Sequence, residues 1–392
     1  MRILLTHNRY RYAGGEDEVF ESEKILLQQN NHEIFEYVRS NTEINHFSRI
    51  RKFRWFFQPY NEFENIYQEV KALILRVKPD VAHIHNSFYL MGPAVYKACY
   101  DQKIPIIQTL HNYRFLCPSA VFFRQGQICE ECLTLGRQQA VKHRCFKNSK
   151  IQTWALNRLL DQYDQHRVLS EKVDAFIVLS QFSRDKFIAG GFPVEKICIK
   201  PNFVPTLDRP QENEGAYAVY IGALQSYKGV ETLITAWKQL KKDFPLKIIG
   251  DGPLSNSLRE KLNNNIEFLG KKSHEETMAY LKRAAFLILP SRCYENFPRV
   301  IVEAYACGVP VIVSDLGAMK ELVIDQQTGL LFHPGDVNDL VLKIEEMLKN
   351  RKKVQEMGRQ AYQIYCEKYQ PQTNYAQLMT IYEKAIKNRK NS

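Results

Sequence analysis

The amino-acid sequence predicts an α/β protein with two doubly wound domains, and three features carry that prediction. Short apolar runs alternate with helix-like segments, and this alternation occurs twice along the 392 residues. A polar stretch with two prolines, NFVPTLDRPQENEGA, separates the two series. Strands that alternate with helices form parallel sheets covered by helices on both faces. The chain is also too long for one compact core, so two domains are expected.

The first series of apolar runs defines the first predicted domain, residues 1–205. The runs RILLTH, DVAHIH, IPIIQTL and DAFIVLS predict its strands, and EVFESEKILLQQN predicts its first helix. Short apolar runs of this kind are typical of parallel strands buried on both faces.

The second series predicts a second domain over residues 206–369. Its strands are expected in YAVYIGA, LKIIGDG, IEFLG, AFLILPS and PVIVSD. The tail, residues 370–392, predicts a helix that packs back on the first domain and ends in basic residues.

Composition and charge narrow the class of partner. No apolar run approaches the roughly 20 residues that span a bilayer, and the first residues predict a strand, so we expect a cytoplasmic protein. The net charge of +11 indicates an anionic partner, either nucleic acid, anionic lipid or a phosphorylated substrate. No zinc finger, RNP-type motif or basic zipper is found, so nucleic acid is not expected.

One segment, Phe47–Phe63, interleaves cations with aromatic residues in FSRIRKFRWFFQPYNEF. This pattern is typical of an interfacial membrane segment and suggests a peripheral location on the inner membrane face. The alternative is a solvated helix followed by a loop whose rings pack on the domain.

The stretch YENFPRVIVEAYACGVPVIV predicts a ligand site at a helix N-terminus. Pro298 suits a first helical position, Gly308 suits a left-handed residue after the end, and Pro310 prevents continuation. The preceding run AFLILP predicts a strand, so the helix begins at a carboxyl strand end. Free amides at that position favour a phosphate.

Two glutamates in this stretch, Glu295 and Glu303, suggest that the ligand also carries hydroxyl groups. Two Rossmann-like domains that face one another leave a cleft, and a nucleotide sugar would place its diphosphate on the helix amides. Glu295 would then accept from hexose hydroxyls, and Glu303, about two turns on, from the ribose diol. The alternative is that both are ordinary surface charges.

At these residues the sequence resembles the retaining glycosyltransferases of family 4, which have the GT-B architecture of two Rossmann-like domains facing a cleft. Their hallmark is two glutamates separated by seven residues, as in ENFPRVIVEAYACGVPVI. The other matching motifs, in the family's order, are AGGED, PDVAHIHN, TLHNYR, VLSQFSRDKF, KPNFV, YIGALQSYKG, IIGDGPL, FLG and TGLLFHPGD. The resemblance implies transfer of a hexose from a nucleoside diphosphate sugar to a glycan or lipid-linked acceptor, as in polysaccharide biosynthesis.

The resemblance also implies roles for residues of the second domain. Glu295 would face the donor hexose and Glu303 would hold the ribose. The amides of Asn296 and Phe297 would cap the diphosphate, and Lys228 of SYKG would bind it.

In the first domain the resemblance singles out a loop and a histidine. Gly14 and Gly15 would let that loop approach the phosphates, where a side chain would clash. His111 of TLHN would border the donor sugar at the reacting centre. His83 and His85 of DVAHIH alternate onto one strand face, and we expect them to be structural.

One position departs from the family pattern. The family often has arginine directly after the glycine of YIG, where this chain has Ala223. Losing such a cation could cost on the order of a few kcal/mol of transition-state stabilisation. Arg299, Arg292 or the pair Arg9 and Arg11 are candidate replacements.

The implied reaction needs no protein nucleophile and no divalent ion. The acceptor attacks on the leaving-group side of an oxocarbenium-like transition state, and a departing phosphate oxygen takes its proton. His111, Glu295 and Lys228 are the predicted catalytic residues, acting by positioning and charge neutralisation.

Four of the nine cysteines form a cluster in sequence that suggests a structural zinc site: Cys117, Cys129, Cys132 and Cys145. The alternative is four reduced thiols in a long excursion. The five other cysteines are scattered and resemble small core residues.

Other functions stay open at this point: a nucleotide-sugar epimerase or hydrolase of the same fold, or a catalytically weak scaffold. Ala223 favours the scaffold, whereas the two glutamates, Lys228 and His111 argue against it. The donor base and hexose would depend on the pocket around Gly250–Pro253 and Phe268–Gly270.

Overall fold

The structure of the chain is a computed structural model that describes residues 1–10, 14–48, 51, 60–205, 215–259 and 265–390, the side chains of 60–62 excepted. The chain divides into two compact units. The first consists of Met1–Ala120, Glu130–Asn202 and Asn374–Ser392, and the second of Val121–Cys129 and Phe203–Thr373.

These units differ from the predicted domains at two places. The predicted boundary followed residue 205, whereas the units change after Asn202. The segment Val121–Cys129 belongs to the second unit, although the sequence analysis assigned it to the first domain. The C-terminal helix belongs to the first unit from Asn374 onward.

The first unit contains a six-stranded parallel sheet of order β2-β1-β3-β4-β7-β8. Its strands are β1 (Arg2–Arg9), β2 (Glu33–Ser40), β3 (Val81–Asn86), β4 (Ile106–Thr109), β7 (Ala175–Val178) and β8 (Ile197–Ile199). Its helices are α1 (Gly15–Gln29), α2 (Tyr60–Val77), α3 (Ala94–Asp101), α4 (Glu131–Leu135), α5 (Gln138–Lys142), α6 (Lys150–Gln165) and α7 (Gln181–Ala189). The C-terminal helix of the chain, Pro371–Lys390, completes this unit.

The second unit contains another six-stranded parallel sheet, of order β11-β10-β9-β12-β13-β14. Its strands are β9 (Tyr217–Ile221), β10 (Leu246–Ile249), β11 (Ile266–Gly270), β12 (Ala284–Leu289), β13 (Val311–Ser314) and β14 (Gly329–Phe332). Its helices are α8 (Val230–Gln239), α9 (Ser255–Arg259), α10 (His274–Leu281), α11 (Arg299–Ala306), α12 (Gly317–Leu322), α13 (Val337–Lys349) and α14 (Arg351–Lys368). In chain order, the C-terminal helix Pro371–Lys390, which belongs to the first unit from Asn374 onward, is α15. A short antiparallel pair, β5 (Phe123–Arg124) and β6 (Gln127–Ile128), belongs to this unit as well.

The strand order of the second sheet locates its binding edge. Counted within the unit it is 3-2-1-4-5-6, the Rossmann order, so the order in which strands are added to the sheet reverses between β9 and β12, which pair in parallel. Ligands of open α/β sheets bind outside the carboxyl ends of the strands at such a reversal. The loops after β9 and β12 therefore form the candidate binding edge of this sheet.

The core of the second unit explains why its strands were found from apolar runs. All four residues of β13 are buried, and β10 and β12 each have one half-exposed residue. Helix α8 packs Trp237 into the same core, where its indole N–H donates to the Phe244 carbonyl at 3.0 Å. Strands covered on both faces become nearly continuous apolar sequence.

Two local predictions can be compared with the backbone. Gly308 has φ +66°, which agrees with the predicted left-handed residue after the helix. Pro298 is the residue that precedes α11, not its first helical residue, because its ψ of 90° is extended. Most of the segment Phe47–Phe63 lies outside the described residues, and Phe47 and Phe63 at its ends are buried.

Candidate functional sites

The loop after β9 is anchored against the loop after β12 by a glycine. Lys228 ends a 3₁₀ turn, and Gly229 follows with φ +71°. A Cβ at Gly229 would lie 1.8 Å from the Pro290 carbonyl oxygen, so only glycine permits this contact. The Arg292 amide also donates to the Tyr227 carbonyl at 2.7 Å. The chain therefore holds the two loops in direct backbone contact.

This contact brings two predicted donor residues together. Lys228 Nζ lies 2.6 and 2.8 Å from the two carboxylate oxygens of Glu295, and the Ser291 hydroxyl donates to one of them at 2.6 Å. Burial alone would lower the pKa of Lys228, but the Glu295 charge outweighs it and raises that pKa above its ordinary value. The lysine is therefore a permanent cation beside the carboxylate.

Helix α11 carries the second predicted glutamate. Glu303 is buried, and Arg299 Nε lies 3.3 Å from its Oε1 one helical turn away. Asn296 and Phe297 are buried in the loop that precedes the helix. The helix amides and the glutamate thus belong to the same carboxyl edge of the sheet as Lys228.

The proposed replacements for the missing arginine have other contacts. Arg299 pairs with Glu303. Arg292 donates to the Gly126 carbonyl at 2.7 Å, which ties the β5–β6 hairpin to the unit. In the first unit, Arg9 pairs with Glu21 at 2.5 Å, and Arg11 lies outside the described residues. The Ala223 carbonyl accepts from the Tyr220 hydroxyl at 2.9 Å.

The loop predicted to shape the donor pocket packs tightly on the loop after β9. Gly250 has φ +147°, and a Cβ there would lie 1.9 Å from the Gly222 carbonyl oxygen. At Gly252 a Cβ would lie 2.5 Å from the Leu224 carbonyl oxygen. The Gly250–Pro253 segment is thus fixed by backbone contact at the same sheet edge.

In the first unit, the predicted glycines begin helix α1. Gly14 precedes the helix, and its amide donates to Asp17 at 2.8 Å. No atom of the described residues would lie within 4 Å of a Cβ at Gly14 or Gly15.

His111 follows β4 and lies in a row of histidines. Its Nε2 is 3.0 Å from His85 Nδ1, and the two rings stack. Burial, followed by the nearby His85, lowers the pKa of His111 well below its ordinary value. Burial also lowers the pKa of His85 to about 3. Both imidazoles are therefore neutral at physiological pH.

Behind these histidines lies a buried ion pair that the sequence analysis missed. Lys200 Nζ is 2.9 Å from Glu23 Oε2, and both side chains are almost completely buried. Glu23 Oε1 lies 3.0 Å from His83 Nδ1 and 3.2 Å from His85 Nε2. Burial favours a high pKa for Glu23, but Lys200 and then His83 hold that pKa well below its ordinary value.

A sequence signal for Glu23 does exist. The buried positions of α1 include Val19, Phe20, Glu23, Leu26 and Leu27, which recur with helical spacing on one face. A glutamate on an apolar stripe requires a buried partner. The sequence does not reveal that this partner is Lys200, which lies 177 residues away.

The same cluster is the place where the first unit brings possible metal ligands together. Ligand atoms of Glu23, His83 and His85 lie within 4.8 Å of one another. The Tyr382 hydroxyl contacts His83 Nδ1 at 2.7 Å, and Lys200 supplies the positive charge that Glu23 needs. We therefore assign the cluster a structural role, as expected for His83 and His85.

The predicted zinc cysteines are not found in such a group. All nine cysteines lie among the described residues, and none forms a disulfide. The groups of ligand atoms within 4.8 Å in the described part of the chain include no cysteine. The zinc site stays a prediction.

A large cavity of the second unit lies away from Lys228 and Glu295. A cavity of about 690 Å³ in the second unit is lined by Ala285, Pro310 and Arg359, at the opposite edge of the sheet from Lys228 and Glu295. Lys228 and Glu295 contact each other directly.

Comparison with known proteins identifies the family. Residues 208–364 match the family described as Glycosyl transferases group 1, and residues 26–206 match Glycosyltransferase Family 4. The chain therefore belongs to the group 1/family 4 glycosyltransferases, and the predicted family is confirmed. No helix among the described residues has the length and apolar character needed to cross a membrane.

Relatives and solved structures agree with this assignment. An uncharacterized glycosyltransferase of Methanocaldococcus jannaschii is 40% identical over 157 residues, which are 38% of this chain and 44% of that protein. N-acetyl-alpha-D-glucosaminyl L-malate synthase of Bacillus anthracis is 27% identical over 180 residues, 44% of this chain and 46% of that protein. The chain thus spans less than half the length of these curated relatives.

Solved structures cover the whole chain. Sucrose-phosphate synthase from Thermosynechococcus elongatus superposes with TM-score 0.70 at 18% identity, covering 97% of this chain and 98% of that one. Anabaena HepE in complex with UDP-glucose superposes with TM-score 0.67 at 17% identity, covering 100% of both chains. The predicted GT-B fold class is confirmed.

Proposed function

We propose that the chain is a retaining hexosyltransferase that moves a hexose from a nucleoside diphosphate sugar to a hydroxyl of a glycan or lipid-linked acceptor. The observation that carries this proposal is the Lys228–Glu295 pair, formed by the loops that flank the strand-order reversal of the second sheet. A cation for a diphosphate and a carboxylate for hydroxyls stand together where such folds bind nucleotides.

The donor would bind by exchanging partners with this pair. The diphosphate would take Lys228 and the amides of Asn296 and Phe297, and the hexose hydroxyls would donate to Glu295. Glu303 would accept from the ribose diol, with Arg299 beside it. The structures of Anabaena HepE with UDP and with UDP-glucose support a nucleoside diphosphate hexose as the donor.

The reaction would proceed without a protein nucleophile. The bond between the hexose C1 and the phosphate oxygen breaks while the acceptor oxygen bonds to C1 from the same side, so the anomeric configuration is kept. The acceptor proton passes to the departing phosphate oxygen. Lys228 neutralises the leaving diphosphate, and no metal ion is needed for this charge balance.

For the first unit we propose two roles. His111 would border the donor sugar as a neutral imidazole, which does not repel an oxocarbenium-like transition state as an imidazolium would. Gly14 and Gly15 would leave room for the phosphates beside their backbone.

The acceptor class is proposed from relatives. A lipopolysaccharide outer core galactosyltransferase, WaaB, superposes with TM-score 0.62 at 16% identity. TarM has been solved with fondaparinux, alpha-GlcNAc-glycerol and UDP. These neighbours support a glycan acceptor. We propose that it is a precursor of polysaccharide biosynthesis, assembled on the cytoplasmic side and held at the membrane through its lipid.

Ala223 favours a second candidate, a scaffold that binds without turnover, because one family cation is absent. An epimerase or hydrolase of the same fold is the other alternative. Turnover separates the three functions: a transferase needs an added acceptor, an epimerase or hydrolase does not, and a scaffold shows no turnover.

The proposal is tested first by thermal stabilisation with UDP-, GDP- and ADP-glucose. A ligand that binds only the folded state adds roughly 2.7 kcal/mol at a hundred times its dissociation constant. We expect one nucleotide to stabilise the native chain, Glu303→Ala to lose that response, and the exposed control Glu367→Ala to keep it. The absence of any response at millimolar concentration would contradict the proposal.

A further inference from the structure

The first unit carries an exposed surface that combines cations with apolar side chains. Between Cys132 and Leu160 the sequence has six lysines and arginines and no acidic residue, more than half of the net charge of +11. We call the exposed members of this stretch the basic surface: Leu135, Lys142, Arg144, Lys147, Lys150, Ile151, Trp154 and Arg158.

The cations of the basic surface are available to an external partner. Arg137, from the same stretch, is neutralised by Asp161 at 2.8 Å and by Asp164. No ion pair is found within the described residues for Lys142, Arg144, Lys147, Lys150 or Arg158. Of the six lysines and arginines in this stretch, Arg137 is therefore the one whose charge is balanced by an ion pair within the described residues.

The apolar members lie among these cations. Ile151 is 66% exposed, Leu135 57% and Trp154 37%. On α6, Trp154 and Arg158 follow Ile151 by three and seven positions, so the three side chains share one helix face. Arg158 lies over the Trp154 ring at 5.4 Å. Single exposed apolar residues are ordinary, but Ile151 and Trp154 lie on one helix face together with the cation Arg158.

An open groove of about 660 Å³ borders this surface. Trp154, Leu133 and Val141 line it together with the charged side chains of Arg137, Asp161 and Asp164. Tryptophan with its body in an apolar environment and its edge in water is typical of a membrane interface, and lysines beside it suit anionic headgroups.

We propose that the basic surface binds the surface of an anionic lipid bilayer. The lysines and arginines contact lipid phosphates, and Ile151 and Trp154 enter the boundary between headgroups and acyl chains. The binding itself does not depend on the proposed function. Its biological purpose does, because the bilayer would present the proposed lipid-linked acceptor. It places membrane contact on a different segment from Phe47–Phe63.

Vesicle co-sedimentation at low salt tests this proposal. The vesicles contain phosphatidylcholine alone or equal parts of phosphatidylcholine and phosphatidylglycerol. The native chain is expected to pellet with the anionic vesicles and to be released at high salt, because screening shortens to about 3 Å at 1 M. The full chain is used throughout, and thermal melting verifies that each variant folds.

Three double variants separate the contributions. Lys147→Glu with Lys150→Glu is expected to weaken partitioning at least about tenfold, since each cation near an anionic surface adds about 1 kcal/mol. Ile151→Ser with Trp154→Ser leaves the charge unchanged and is expected to weaken partitioning several-fold. The matched control, Lys271→Glu with Lys352→Glu in the second unit, is expected to stay within about twofold of the native chain.

Three results would overturn the inference. The first is that the native chain does not pellet with anionic vesicles. The second is that the control variant loses as much binding as the variant Lys147→Glu with Lys150→Glu. The third is that the serine variant binds vesicles like the native chain and a soluble polyanion competes fully, which would indicate a polyanion site. Nucleotide stabilisation, measured on the same samples, distinguishes failure of this inference from failure of the proposed function.

Discussion

The Lys228–Glu295 ion pair leads to a prediction in which two ligands respond in opposite directions. The Lys228 ammonium contacts both carboxylate oxygens of Glu295, at 2.6 and 2.8 Å. A diphosphate can take the lysine only after this pair opens. Glu295→Gln removes the competing charge and preserves the side-chain shape. We therefore expect the variant to bind UDP more tightly and to lose its preference for the UDP-hexose.

The size of the effect follows from burial of the pair. The side chain of Lys228 is 22% exposed and that of Glu295 12%, which is intermediate between a surface pair and a fully buried one. Surface pairs contribute about 0–1 kcal/mol, and breaking a fully buried pair costs about 3–5 kcal/mol. A value of about 1–2 kcal/mol corresponds to UDP binding roughly 5- to 30-fold more tightly.

Isothermal titration of UDP and of the UDP-hexose identified by thermal stabilisation measures both responses. Lys228→Met is the matched variant: it leaves Glu295 charged and should weaken both ligands, with kcat/KM falling about 100- to 1000-fold. If Glu295→Gln binds UDP no more tightly than the native chain, the carboxylate does not compete with the diphosphate and the partner-exchange argument is wrong.

Three further predictions concern stability. We expect Glu23→Gln and Lys200→Met each to lower the free energy of unfolding of the first unit by about 3–5 kcal/mol, and the double variant to lower it by less than the sum of the two. Urea denaturation measures these losses, and additive losses would contradict the pairing. The folded chain keeps His85 neutral, whereas the unfolded chain binds a proton there below about pH 6.5, so the free energy of unfolding should fall as the pH decreases from about 6.5 toward about 3. A urea midpoint that does not change over the upper part of this range would refute this prediction. Gly229→Ala should lower the melting temperature and abolish nucleotide stabilisation, because its Cβ would meet the Pro290 carbonyl; a native response would show that the loops tolerate separation.

Much of the fold was predictable because buried parallel strands leave a direct trace in sequence. Runs such as AFLILP and PVIVS are apolar throughout because helices cover both faces of the sheet. Glycine with a positive φ and proline near helix ends mark the turns, as at Gly308. The assignment of Val121–Cys129 to the second unit was not predictable, because it depends on tertiary contacts such as that of Arg292 with the Gly126 carbonyl.

In the candidate site, too, single residues were predictable from sequence but their contacts were not. Lys228 and Glu295 were each recognised from motifs, but their pairing across 67 positions depends on two loops meeting through Gly229 and Pro290. Glu23 carried a local signal, a charge on an apolar helix stripe, whereas Lys200 was recognised only within the motif KPNFV, which does not reveal its partner. Sequence reports which residue types lie at strand ends; distances between side chains come from the packing of the loops.

The ion pair also explains how a glutamate can stand beside a phosphate site. Lys228 and Ser291 both donate to the Glu295 carboxylate, so its charge is compensated. If a nucleoside diphosphate sugar binds there, the phosphate takes the lysine and the sugar hydroxyls donate to the carboxylate in place of the ammonium. The carboxylate then has partners in both states, and repulsion of the diphosphate is offset only when a sugar is attached. By this reasoning the pair would favour the intact donor over the free nucleoside diphosphate, which assists product release.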